Sequence, residues 1–448
     1  MRISSGVALH AQLAAATLVA CALAACGGGS GSGSVHDGSA ALAEAAAGLP
    51  TSYDWRAAQT PPGGARTTLT QIPEPGDAAR RVIDSTGRFI ASYVVANDPQ
   101  QVPHAMFDAG TGGALALTDA AVERISHAHA VNENALIAGT IDEGVLPPGA
   151  PRAFAWSAAT GSVAIAAGQP EPYSGANFVT DAGLVAGRLC NAVSGGSLAE
   201  CQTTFLWRSA SSTLQRIAGF ELLWMNNGGD LLGHFQPPGC AERQVVVLTR
   251  DGKFLTTEPA LPAGSLANVR FLADNGIIIG NLFTRVPPLQ EGAVAVVSGR
   301  ARNIGLGVSA PPPGATVISE VALVSGASRN GYAVGENTLR YTDAQGTTGA
   351  VNTTFFWSEQ DGAVPIRIEG SDLHFLPTAV NSAGVVVGYA GNSTGSLRAY
   401  VWTKGTGGVL LETLTSIGLR QAWAIGEGGH ILAVDDDSRV VLLTPARR

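Results

Sequence analysis

Three cysteines follow residue 26, at positions 190, 201 and 240, and they offer the first chemistry to weigh. Cys190 ends one strand-like apolar run and Cys201 begins the next. Antiparallel neighbours at the mouth of one loop can meet the geometry of a bridge. A Cys190–Cys201 disulfide with Cys240 free is predicted. The rival is a bridge to Cys240, in the corresponding loop of the next repeat. His127 and His129 lie two apart in a strand, and so point to one face. A metal pair there lacks third and fourth ligands at a recognisable spacing, which favours simple packing. Asp435-Asp436-Asp437 offers oxygens to calcium but lacks the Gly at the sharp bend of a calcium loop, so it reads as a solvated acidic turn. The chain carries no G-x-S-x-G elbow, no H-E-x-x-H and no phosphate-binding Gly loop. No catalytic residue, metal ligand or cofactor is therefore assigned.

The N-terminus carries a different chemistry. Arg2 is the only charge in the first 25 residues, and an apolar stretch from about Leu13 to Ala25 follows it. That stretch is too short for a comfortable spanning helix and reads as a signal peptide over residues 1–25. It ends in Leu23-Ala24-Ala25-Cys26-Gly27, which resembles the lipobox of bacterial lipoproteins. The resemblance implies cleavage before Cys26 and acylation of that residue, giving a lipid-anchored protein of the bacterial cell envelope. Gly rather than Asp after Cys26 points to the outer membrane. A flexible tether is expected over 26–60, opening with GGGSGSGS at 27–34, and a repeat domain over 61–448. Ordered structure is expected to begin between Tyr53 and Leu69.

Bulk composition narrows the partners. Charged residues make up 14% of the chain, glycines number 57, and the net charge is −8. Low charge with many small residues suits strands buried on both faces. An acidic balance argues against nucleic acid, which calls for a basic surface. The partner is expected to be a protein or glycan, the membrane to be met through the lipid anchor alone, and the chain to be a monomer.

These groups must be positioned by a repeat. A nine-residue pattern recurs eight times: apolar, small or polar, two turn residues, Gly, three mostly apolar residues, then Gly or Ala. Its turn position falls at Gly87, Ala135, Gly183, Gly229, Gly276, Gly331, Gly384 and Gly429. A period near 48 residues is the signature of a propeller, with one four-stranded sheet per repeat. The prediction is an all-β fold, an eight-bladed β-propeller of four-stranded antiparallel blades, with seven blades as the alternative. Gly139, Gly187, Gly233, Gly280, Gly335 and Gly388 are read as making the crowded innermost strands lean. Trp156, Trp207, Trp357 and Trp402, with Phe107, Leu248, Val297 and Leu443 in the other copies, are read as inter-blade packing. The last copy lacks a fourth strand, and Thr67–Ile72 is expected to supply it from the N-terminal side and close the ring.

Tight turns join strands one to two and three to four, whereas the connection from strand two to three varies in length. In a meander these variable loops share a face with the blade-to-blade connections, including the segment around Gly307–Gly314. Loops on a rigid scaffold are where binding usually resides. Candidate binding-loop residues on this face are Asp98, Asp142, His234, Glu336, Tyr341 and Asp435.

Arg152-Ala-Phe-Ala-Trp156, Arg398-Ala-Tyr-Val-Trp402, Thr204-Phe-Leu-Trp207 and Thr354-Phe-Phe-Trp357 each follow a turn of the nine-residue pattern, as in Val380-Asn-Ser-Ala-Gly384. In this they resemble the HAF-type extracellular repeats of bacteria, over roughly residues 80 to 448. His104-Ala105-Met106 is the nearest match to the triplet that names those repeats. The resemblance implies an exported, propeller-like repeat domain and supplies no functional residues. The expected function is a non-catalytic binding or scaffold module acting through its long-loop face. The alternative is an envelope enzyme, a polysaccharide hydrolase or lyase, with its site in the central funnel.

Overall fold

The computed structural model describes residues 49–446, except 62–63, 69–80, 98–102, 118–124, 143–150, 167, 195–196, 200, 209–212, 237–242, 257–264, 285–290, 369–372 and 392–395. Eight four-stranded antiparallel sheets form a ring, an eight-bladed β-propeller. The only helical element among the described residues is a single 3-10 turn, Leu411–Thr413. Blade two shows the common plan, with strands Ile125–Val131, Ile137–Asp142, Pro151–Ser157 and Gly161–Ala164 in sequence order from the axis outward.

The turn between the first two strands forms because its key residue adopts positive φ. All eight turn positions do so, from 59° at Ala135 to 89° at Gly229. Ahead of that turn the innermost strand bulges. Ladder pairing skips His129, Asn177, Leu223, Arg270, Ser325, Thr378 and Trp423 in blades two to eight. A bulge bends the strand and raises its twist, which suits a strand lining a narrow axis.

The bulge explains the repeated glycines, which lie on the second strand of each blade as expected, but it replaces the reason given for them. The constraint is the bulging strand and the third-strand aromatic rather than crowding at the axis. A Cβ on Gly139 would sit 2.3 Å from the His127 carbonyl oxygen and 2.5 Å from the Phe154 ring. Gly187, Gly335 and Gly388 meet the same pair of obstacles, a carbonyl of the bulging strand and an aromatic of the third strand. Innermost strands are not uniformly lean either, since Phe178, Trp224 and Phe271 belong to them. The third-strand tryptophans are buried as read, each 7% exposed or less, and Phe107 and Leu443 are fully enclosed.

Closure of the ring uses a different segment from the one expected. Tyr53–Ala57 pairs with Val440–Pro445 and completes blade eight. Gly64–Thr68 instead opens blade one, pairing with the strand Phe89–Val95. Thr67 and Thr68 therefore line the axis rather than the rim, while residues 69–72 lie outside the described part. The ring thus takes in residues ahead of position 61, the expected start of the repeat domain. Blade one's inner position is shared, because Ile83 bridges Phe89 further along the same ladder.

Candidate functional site

Each blade grips the next at the face that carries the tight turns. Asn132 Oδ1 accepts the amides of Asn134 and Leu136, which fixes the turn, while its Nδ2 donates to the Thr180 carbonyl of the following blade at 2.8 Å. Asn226 and Asn381 reach across in the same way, to Ala273 and Gly426. The next residue of the turn forms a second ring. Ser85 donates its amide to Glu133, Glu133 to Asp181, Asp181 to Asn227, and Asn227 to Asp274. Ser382 continues the pattern to Glu427. The N/D-x-x-G turns are thus inter-blade clasps as well as turns.

Charges in this ring are spent on one another. Arg81 binds Glu133 at 2.7 Å and also Asp181. Arg329, three blades further round, reaches Asp181 at 3.2 Å and Asp274 at 2.9 Å. Burial pushes the Asp181 carboxyl up, but Arg81, the Glu133 amide and Arg329 outweigh it and hold the group below the usual carboxylate range. Burial works against the Arg329 charge, and Asp274, Asp181 and Glu427 more than restore it. Catalytic acid–base work calls for a group poised near the working pH, and Asp181 is held well away from it.

The residues singled out on the other face are scattered. Asp98 lies outside the described residues. Asp142 ends a strand of blade two. His234 sits 3.7 Å from Glu221, which Arg243 also holds at 2.8 Å. The neighbouring His234 is the main reason that the Glu221 carboxyl lies below its ordinary range, and burial opposes it. Asp435 is not a solvated turn residue. It is 2% exposed, and its carboxylate accepts the amide and Nε of Arg439. Cys190 and Cys201 form a disulfide that closes the blade-three loop around a short hairpin, while Cys240 lies outside the described residues. His127 and His129 take different partners: the His127 ring meets His104 edge-on at 5.5 Å, and His129 Nε2 bonds Thr140 Oγ1. Among the described residues no three His, Cys, Asp or Glu side chains gather as metal ligands.

Glu336 and Tyr341 mark the exception to this scatter. They lie in a strand, not a loop. Blade six runs Thr316–Ala327, Ala333–Thr342 and Thr348–Ser358, strands of 12, 10 and 11 residues where blade two has about seven. Pairing continues to Thr316↔Thr342 and Thr342↔Thr348. The outermost strand, Gly362–Pro365, covers only Phe355–Ser358. Three strands therefore project as a flap that carries exposed Val317 and Ile318. Beside it lies an open groove between blades six and seven, lined by Val351–Thr354, Ile366–Ile368 and Leu373–Phe375 among others.

At the groove's inner end His374 Nε2 lies 3.5 Å from Glu336 Oε1. Burial pushes the Glu336 carboxyl up, and the neighbouring His374 only partly opposes this. Tyr400 is fully enclosed nearby, its hydroxyl without a hydrogen-bond partner among the described residues, and burial, Glu336 and Tyr389 push that phenol well above its usual range. Sequence reasoning named Glu336 but missed His374, Tyr389 and Tyr400. Their meeting depends on how two blades pack, which no local pattern records.

No family model matches the chain, and no curated protein matches it. Solved structures do. The β-propeller domain of the trilobed protease from Pyrococcus furiosus is 10% identical, covering 72% of this chain and 96% of that one, with a TM-score of 0.41. Dipeptidyl peptidase 4 of Porphyromonas gingivalis is 8% identical over 84% of this chain and 62% of its own, with a TM-score of 0.46. Virginiamycin B lyase of Staphylococcus aureus is 12% identical over 70% and 92%, with a TM-score of 0.31.

Proposed function

We propose that this chain is a lipoprotein of the bacterial cell envelope, anchored through Cys26, whose propeller acts as a non-catalytic binding module of the HAF-repeat type. Its partner, a protein or glycan, docks on the long-loop face at blade six. The observation that carries this reading is the blade-six flap with its adjoining groove. No other blade extends its sheet in this way among the described residues, and the flap exposes apolar side chains that a purely structural element would have no reason to present. A catalytic reading finds less support at the axis, where Arg81 and Arg329 engage Glu133, Asp181 and Asp274.

One experiment with two arms tests this. Replacing residues 340–350 by Asn-Gly joins the paired positions Leu339 and Val351 and trims the flap without cutting the blade. Cross-linking in intact envelopes is expected to lose the partner with this variant while the urea midpoint stays within error. Equal cross-linking would remove blade six as the docking site. In the second arm, Cys26→Ser is expected to abolish palmitate labelling and release the protein from membranes. Retained label would end the lipoprotein reading.

A further inference from the structure

The eightfold repeat is broken at one axial position, two residues before the turn-opening residue. Blades three, four and five place Phe178, Trp224 and Phe271 there, and the other five blades place nothing larger than valine, Ala130, Ala379 and Ala424 among them. Eight aromatics would fill the axis, and eight alanines would leave an even channel. Three consecutive aromatics make a shelf on one side and leave space on the other. The indole of Trp224 is pinned edge-on between Phe178 at 5.0 Å and Phe271 at 5.4 Å. Both phenylalanines are buried, while Trp224 keeps part of its surface free. The resulting cavity is partly open to solvent on the tight-turn face, where Asn226, Asn227, Asp274 and Arg329 stand.

Two carboxylates and two guanidinia line the cavity, Asp274 and Glu427 with Arg81 and Arg329. Glu133 and Asp181 stand behind them in the clasp ring, which as a whole carries two more carboxylates than guanidinia. Arg329 also indicates what the rim accepts. Its guanidinium bridges Asp181 and Asp274 from one side of the mouth, a cation of the protein's own in the acidic position.

We propose that this axial cavity is a binding site for a small organic cation, an amine or guanidine on an aromatic or aliphatic body. The body lies on the Phe178–Trp224–Phe271 shelf and the cation meets the carboxylates of the rim. Aromatic faces attract cations, and a low-dielectric wall strengthens the pull of the rim. The site lies on the opposite face from the blade-six flap and is independent of it.

Calorimetric titration of the full-length protein in detergent with tryptamine, indole and indole-3-acetate tests this. Tryptamine is expected to bind with one-to-one stoichiometry, and indole-3-acetate at least tenfold more weakly. Asp274→Asn, a rim change that leaves the core intact, should weaken tryptamine several-fold. Arg329→Gln, which removes the internal competitor, should strengthen it. Trp224→Phe should weaken it while keeping the shelf filled. No tryptamine binding to either the parent or the Arg329→Gln protein would overturn the proposal. So would binding indifferent to Asp274→Asn and Trp224→Phe, or a preference for the acetate, which would make the cavity an anion site.

Discussion

His104 shows what one residue can hold between blades. Its Nδ1 accepts the Ala128 amide at 3.0 Å, tying blade one's third strand to blade two's innermost strand. Burial, helped by the neighbouring His127, lowers its pKa from 6.5 to about 4. The unfolded chain therefore binds a proton on His104 that the folded chain refuses. Stability from this group is fully present above pH 6.5 and is lost as pH falls toward 4, by about 3 kcal/mol over the whole range. His104→Gln keeps an acceptor for the amide but does not titrate. Thermal unfolding between pH 7 and 4.5 is expected to show a shallower decline in the variant, and parallel curves would dismiss the role. The sequence offered His104 as the opening of a His-Ala-Phe-like triplet. In the ladder His104 stands opposite Ser92 as Ala153 stands opposite Thr140, so it is aligned with Ala153 rather than with Arg152. Thr204 and Thr354 follow the same rule, bonding the Phe220 and Phe375 carbonyls of the next blade. A triplet match could not reveal this, because the bond crosses to a strand about 20 residues away.

At the scale of the blade, two glycines with opposite geometry separate backbone strain from crowding. Gly388 has ordinary φ, yet a Cβ there would lie 2.1 Å from the Leu376 carbonyl oxygen and 2.9 Å from the Tyr400 ring. Gly346, in the flap turn, has a φ of 82° with open space around it. Gly346→Ala is expected to cost about 1 kcal/mol through conformation alone. Gly388→Ala must displace either a bulged strand or a core aromatic, and is expected to cost about 3 kcal/mol. Urea unfolding of the two variants would rank them, and the reverse order would refute the account of the second-strand glycines. Turn glycines were legible from sequence because a positive φ is a local demand, and Ala135 was legible through its neighbours' spacing. The second-strand glycines were visible as a repeat, but the reason for them was read as crowding at the axis. Their cause is a carbonyl brought in by a bulge, and a bulge leaves no mark in apolar alternation. Glu336 and Tyr341 were read as loop residues for a related reason: in blade six the variable connection is itself sheet.

For the whole molecule, repeat spacing pointed to eight blades, with seven as the alternative, and the ring has eight, but the spacing did not identify the strand that joins the ends. Thr67–Ile72 reads as a strand from its β-branched residues, and composition cannot say which sheet a strand enters. Tyr53–Ala57 hardly alternates, since only Tyr53 is buried and Asp54, Trp55 and Arg56 face solvent, as suits an outermost strand. Its bonds nonetheless span the seam. Five residue pairs join it to Val440–Pro445, Tyr53 donates its amide to Leu414, and Gln59 donates to Gly112 in blade one. Tyr53 itself is 4% exposed within the core shared by blades seven and eight. Several ladder bonds at about 1 kcal/mol each, with about 2 kcal/mol from burying Tyr53, together approach the lower end of a domain's net stability. Two truncations separate the seam from the segment ahead of it. Removal of residues 1–48 is expected to leave the urea transition unchanged. Removal of residues 1–57 opens the outer edge of Val440–Pro445, and is expected either to lower stability by about 5 kcal/mol or to abolish cooperative unfolding, with edge-to-edge oligomers in size-exclusion chromatography. Should both truncations melt alike as monomers, the ring would be held by the axial clasps of the turns, and the seam strand would be dispensable.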